Sequence, residues 1–117
     1  MKHLKIYHNP RCSKSRKTLQ IIRDHGIEPE VIEYLKKPPT ESELKKISNL
    51  LGLYPKHFVR INENDFEENG LSEKISDNEE MFRLMAKFPK VIERPIVVSG
   101  DSAIIGRPPE KVLKILT

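Results

Sequence analysis

The single cysteine of this chain, Cys12, lies in the stretch His8-Asn9-Pro10-Arg11-Cys12-Ser13-Lys14-Ser15-Arg16-Lys17, between a segment that reads as strand and one that reads as helix. Cysteine is the side chain here best suited to covalent chemistry, because its thiolate is a strong nucleophile. Arg11, Lys14, Arg16 and Lys17 crowd the stretch without one carboxylate, although the positive end of a helix dipole favours Asp and Glu in the first turn. The arrangement costs helix stability and suits a negative charge, either a thiolate or a bound oxyanion. The competing reading is a solvated basic turn beside a structural cysteine, and these residues alone leave the two open.

Spacing narrows the chemistry. A lone cysteine makes no internal disulfide, and histidines at positions 3, 8, 25 and 57 have no zinc-ligand spacing, so no metal is expected. A phosphatase-like loop needs Cys, five residues, then Arg; position 18 holds Thr18, and Arg16 comes two places early. A dithiol motif needs cysteine at position 15, where Ser15 stands, so any redox cycle must borrow an external thiol. The resulting Cys12-x-x-Ser15 resembles monothiol glutaredoxins. His8 reads either as a satisfied core histidine at a strand end or, protonated, as an imidazolium that stabilises the thiolate. His25 and His57 are read as structural.

These residues need elements to position them. Leu4-Lys5-Ile6-Tyr7-His8 reads as a strand ended by Asn9-Pro10. Ser15, Leu19 and Ile22 mark a helical stripe from Ser13 to His25, with Gly26 as terminator. Glu30 to Leu35 reads as a second strand, close enough to complete a βαβ unit. Thr40-Glu41-Ser42-Glu43 is a capping box ahead of Leu44, Ile47 and Leu51, and Gly52 ends that helix. In the mixed stretch from Tyr54 to Gly70, Pro55 suits a first helical position and Asn64 a cap. Asp77 caps a helix with Met81, Leu84, Met85 and Phe88 on its apolar stripe, stopped by Pro89. Ile96 to Ser99 and Ser102 to Ile105 flank Gly100-Asp101, the signal for a hairpin with a type II′ turn. Pro108-Pro109-Glu110 opens a closing helix carrying Val112, Ile115 and Leu116.

With 117 residues the chain fits one domain, and it has no apolar run of the roughly 18 residues a membrane span needs. A soluble, cytoplasmic, monomeric protein without membrane contact is expected. Net charge +4 with 6% aromatics admits a small anion but offers no base-stacking platform, so no nucleic acid is expected.

The order βαβ, helical insert, ββα, with a cysteine after the first strand and an X-Pro before the third, is similar to the thioredoxin fold, an α/β class with a mixed sheet. His8-Asn9-Pro10-Arg11-Cys12, Arg60, Arg94-Pro95-Ile96-Val97-Val98 and Gly106-Arg107-Pro108 together resemble the glutathione and glutaredoxin-dependent arsenate reductase (ArsC-like) family, from about Leu4 to Leu116. The resemblance implies a single domain over 1–117 with a helical insert at about 40–90. It implies arsenate as substrate, Cys12 as nucleophile assisted by His8, and Arg60, Arg94 and Arg107 as oxyanion ligands. Asn9, Ser15 and Pro95 are then structural residues beside the site, with Pro95 cis. The resemblance further implies no bound cofactor, glutathione as co-substrate and glutaredoxin as the partner that clears the mixed disulfide. Two other readings stay open: an Spx-like regulator that binds RNA polymerase, and a glutathione-dependent thiol oxidoreductase with another substrate.

Overall fold

The computed structural model describes residues 3–116. They divide into two compact units, one running up to Lys37 and resuming at Arg94, the other Pro38–Glu93.

The first unit is built on a four-stranded sheet in the order β2-β1-β3-β4, from β1 (Leu4–His8), β2 (Glu30–Glu33), β3 (Ile96–Ser99) and β4 (Ser102–Ile105). β1 pairs parallel with β2 and antiparallel with β3, and β3 pairs antiparallel with β4. These directions bring three chain segments to one end of the sheet: the exit of β1 at His8 to Cys12, the entry to β3 at Arg94-Pro95, and the exit of β4 at Gly106-Arg107. β2 is shorter than its β-branched run suggested, because the chain turns at Glu33, whose carbonyl accepts from the N–H groups of Lys36 and Lys37. Gly100 has φ +59° and Asp101 a negative φ, which selects type II′ over type I′ in the β3–β4 hairpin.

Helix α1 (Ser13–Asp24) lies across one sheet face. Leu19 and Ile22 from the helix, Leu4 and Ile6 from β1, Val97 from β3 and Val112 form a buried cluster, the alternate residues of each strand facing the helix as the period of two requires. The expected closing helix is instead 3-10 in geometry over Pro109–Ile115. Apolar residues three apart meet the core in either helix type, so Val112 and Ile115 still pack against the cluster.

The second unit is helical. Its elements are α2 (Glu41–Leu51), α3 (Asn64–Glu68) and α4 (Asn78–Lys87), with short 3-10 turns at Pro55–His57, Leu71–Lys74 and Pro89–Val91. Thr40 Oγ1 accepts from the Glu43 N–H at 3.1 Å and the Glu43 carboxylate returns the bond, completing the capping box. The Asp77 carboxylate likewise accepts from the Glu80 N–H at 3.1 Å. Leu44 and Ile47 of α2 and Met81, Leu84 and Met85 of α4 are buried with Phe58 and Phe66. Phe88 is only half-buried, with the Lys87 ammonium 5.5 Å from its ring centroid. Asn64 is the first helical residue rather than the cap; Glu63 holds the cap position, and its carboxylate makes no cap bond.

One close approach ties the end of β4 to the rest of the first unit. A Cβ at Gly106 would lie 2.5 Å from Thr18 Oγ1 and 2.9 Å from Pro95 Cγ. Thr18 cannot retreat freely, because its hydroxyl donates to the Lys14 carbonyl at 2.8 Å. Gly106→Ala is therefore expected to destabilise the protein by about 1–3 kcal/mol through overpacking, seen as a lower urea midpoint; a midpoint equal to the parent's would show that the segment has room to yield.

Candidate active site

Cys12 is the N-cap residue of α1, with extended backbone angles (φ −94°, ψ 121°). Its N–H donates to the Asn9 carbonyl at 3.0 Å and its own carbonyl accepts from the Arg16 N–H at 3.0 Å, so both backbone groups are fixed as the chain turns from β1 into α1. The thiol is 9% exposed and sits at the positive end of a 12-residue helix whose first turn holds no acid. Of the four cations in this stretch, all exposed, Arg16 donates through Nη1 to the Pro10 carbonyl at 3.0 Å.

The sheet end delivers the next groups. Arg107, half-buried, places Nη1 at 3.9 Å from Cys12 Sγ and donates from the same nitrogen to the Arg94 carbonyl at 3.1 Å. Arg94-Pro95 is cis, as expected, and Arg107-Pro108 is also cis, which the sequence did not reveal. The Gly106 N–H donates to the Pro95 carbonyl at 3.0 Å, locking the two segments together. Arg94 enters through that carbonyl, and its Nε and Nη1 atoms are buried.

Behind the thiol loop, His8 is buried on the sheet face that α1 covers. Its Nδ1 lies 2.6 Å from Ser15 Oγ, which also accepts from the Asn9 N–H at 3.0 Å. Desolvation by burial pushes the imidazole pKa down from 6.5, with Glu33 opposing and Arg23 and Arg16 assisting. Burial and two nearby guanidinium groups, against one carboxylate, favour the core-histidine reading of His8 over the imidazolium.

This chain matches the ArsC family over residues 7–115. It belongs to the ArsC family. It is 43% identical over 117 residues to the arsenate reductase of Neisseria meningitidis, covering 99% of this chain and all of that one. It is equally similar to the uncharacterized protein YfgD of Escherichia coli, at 43% over 116 residues and 98% of each chain. The solved arsenate reductase of Vibrio cholerae superposes with a TM-score of 0.92 at 44% identity, covering 97% of this chain and 98% of that one.

Of the site residues expected from sequence, the first unit of this ArsC chain brings together Cys12, His8, Asn9, Ser15, Arg94, Pro95 and Arg107 through the contacts above. Arg60 belongs to the second unit, where its guanidinium pairs with the Glu63 and Glu93 carboxylates. Sequence reading missed a cavity of about 220 Å³ beside the thiol loop, lined by His8, Asn9, Pro10, Arg11, Glu33, Leu35 and Lys36. The turn after β2 that forms one wall reads as strand in the sequence, and no local signal marks a wall made across two strands. Among the described residues no group of three or more His, Cys, Asp or Glu is gathered closely enough to hold a metal ion, and no helix is long and apolar enough to cross a membrane.

The state of His8 carries a pH consequence. A folded-state pKa below 6.5 means that the unfolded chain binds the proton more tightly, so the stability this group contributes is complete above 6.5 and is lost as pH falls from 6.5 toward the folded value. Replacing His8 by Gln should flatten that part of the unfolding free energy measured against pH. An unchanged slope below pH 6.5 would contradict a neutral buried His8.

Proposed function

We propose that this ArsC-family protein reduces arsenate to arsenite, with Cys12 as nucleophile, glutathione as the external thiol and glutaredoxin as the partner that restores Cys12. The observation that carries the reading is the Arg107 guanidinium 3.9 Å from the Cys12 sulfur at the start of α1. A cation and a helix N-terminus at one thiol favour both the thiolate and the approach of an oxyanion. Planar guanidinium groups match tetrahedral oxyanions by paired hydrogen bonds, and Arg94 and Arg107 already share a contact. Arg60 is the third donor by family resemblance, and Ser15 in place of a second cysteine supports an external reductant.

The chemistry balances as follows. The Cys12 thiolate attacks arsenic(V), an S–As bond forms, and one oxygen leaves as hydroxide and is protonated to water. A glutathione thiolate then attacks the Cys12 sulfur; the S–S bond forms while the S–As electron pair stays on arsenic, which departs as arsenite. Two thiol sulfurs have given up two electrons and arsenic has gained them. Glutaredoxin removes the glutathione by thiol–disulfide exchange. The arginines hold the anion and stabilise the charge that builds on its oxygens during attack.

A coupled assay with glutathione, glutaredoxin and arsenate tests this. Cys12→Ser should abolish arsenite formation. Arg107→Ala should cost on the order of 100-fold in rate, and Arg107→Lys should recover only part of it, since lysine keeps the charge but loses the planar fork. If Arg60→Ala, Arg94→Ala and Arg107→Ala all match the parent, the oxyanion site is wrong and a thiol oxidoreductase with another substrate becomes the better reading.

A further inference from the structure

Arg60 is held by two carboxylates of its own unit. Val59 and Ile92 form an antiparallel bridge, flanked by hydrogen bonds from the Arg60 N–H to the Val91 carbonyl at 2.6 Å and from the Glu93 N–H to the Phe58 carbonyl at 2.9 Å. This register makes Arg60 and Glu93 diagonal neighbours on one face, within reach of long side chains, and Arg60 Nε lies 3.8 Å from Glu93 Oε1. From the other side Arg60 Nη1 donates to the Glu63 carboxylate, three residues on. All three side chains are 28% exposed, so both ion pairs are partly withdrawn from water and screened less than surface pairs.

Glu63 also occupies the N-cap position of α3 without capping it, so its carboxylate serves Arg60 and not the helix. Beside it opens a cavity of about 400 Å³, lined by Ile61, Asn62, Glu63, Asn64, Glu67 and Glu68. The cavity gives the Glu63 carboxylate somewhere to go if an anion takes its place, and Glu67 and Glu68 on its wall disfavour that move by like-charge repulsion.

We propose that Glu63 and Glu93 form a carboxylate clamp that sets the affinity of Arg60 for oxyanions, because an incoming oxyanion must displace it before Arg60 can bind. The proposal rests on the reading of Arg60 as an oxyanion ligand. Its consequence is a weakened hold on reversibly bound anions. The clamp weakens every tetrahedral oxyanion that binds reversibly, phosphate included.

The test is made on full-length protein carrying Cys12→Ser, which removes the covalent step, with arsenate and phosphate titrated separately and followed by amide chemical shifts. Glu63→Gln and Glu93→Gln should each tighten both anions by about fivefold, and each gain should vanish when Arg60→Ala is added. Equal affinities in the parent and both Gln variants would overturn the clamp while leaving Arg60 as a ligand. A gain that survives Arg60→Ala would also overturn it, since the effect would then be the general loss of negative charge. If neither anion binds the parent or either Gln variant, the clamp falls together with the reading of Arg60.

Discussion

The contact between Arg107 and Cys12 joins residues 95 positions apart, and the rest of the first unit can be understood as what makes it possible. β1 must end where α1 begins, β3 must enter at that same sheet end, and β4 must return to it, which the order β2-β1-β3-β4 with its parallel and antiparallel pairings achieves. The carbonyl of Arg94 then fixes the guanidinium at 3.1 Å. Gly106, with no Cβ, lets the end of β4 lie against Thr18 and Pro95. A side chain at 106 would push on Thr18 and Pro95 at once.

Around that contact the electrostatics are one-sided. The first turn of α1 carries no acid and its exposed face carries Lys14, Arg16 and Lys17, while the buried imidazole behind the thiol loop is driven toward its neutral form. Arg107 and the helix N-terminus bring positive charge near the sulfur. His8 hydrogen-bonds to Ser15, which in turn ties down the Asn9 N–H. The second unit shows the opposite arrangement, with Arg60 internally balanced by Glu63 and Glu93.

Much of this was legible in the sequence where the signal is local. The strand before Asn9-Pro10, the capping box at Thr40, the Asp77 cap and the Gly100-Asp101 hairpin all depend on residues within a few positions of one another, and each is observed as read. The 3-10 geometry of Pro109–Ile115 was hidden because Val112, Ile115 and Leu116 suit either helix type. Asn64 looked like a cap by residue type, yet it is the first helical residue, and the cap position falls to a glutamate engaged elsewhere. Features that need two distant segments stayed invisible: the cavity wall after β2, the Gly106 approach and the pairing of Arg60 through the Val59–Ile92 bridge. The roles of Arg94 and Arg107 rested on family resemblance alone, since single arginines carry no spacing signature.

The central claim is that Cys12 passes from an arsenate adduct to a mixed disulfide with glutathione. Mass spectrometry of protein quenched after one turnover without glutaredoxin tests it most directly. The account predicts glutathione attached at Cys12, formed in step with arsenite and only when arsenate is present. Arsenite appearing while Cys12 remains unmodified, or glutathione attaching at the same rate without arsenate, would contradict it.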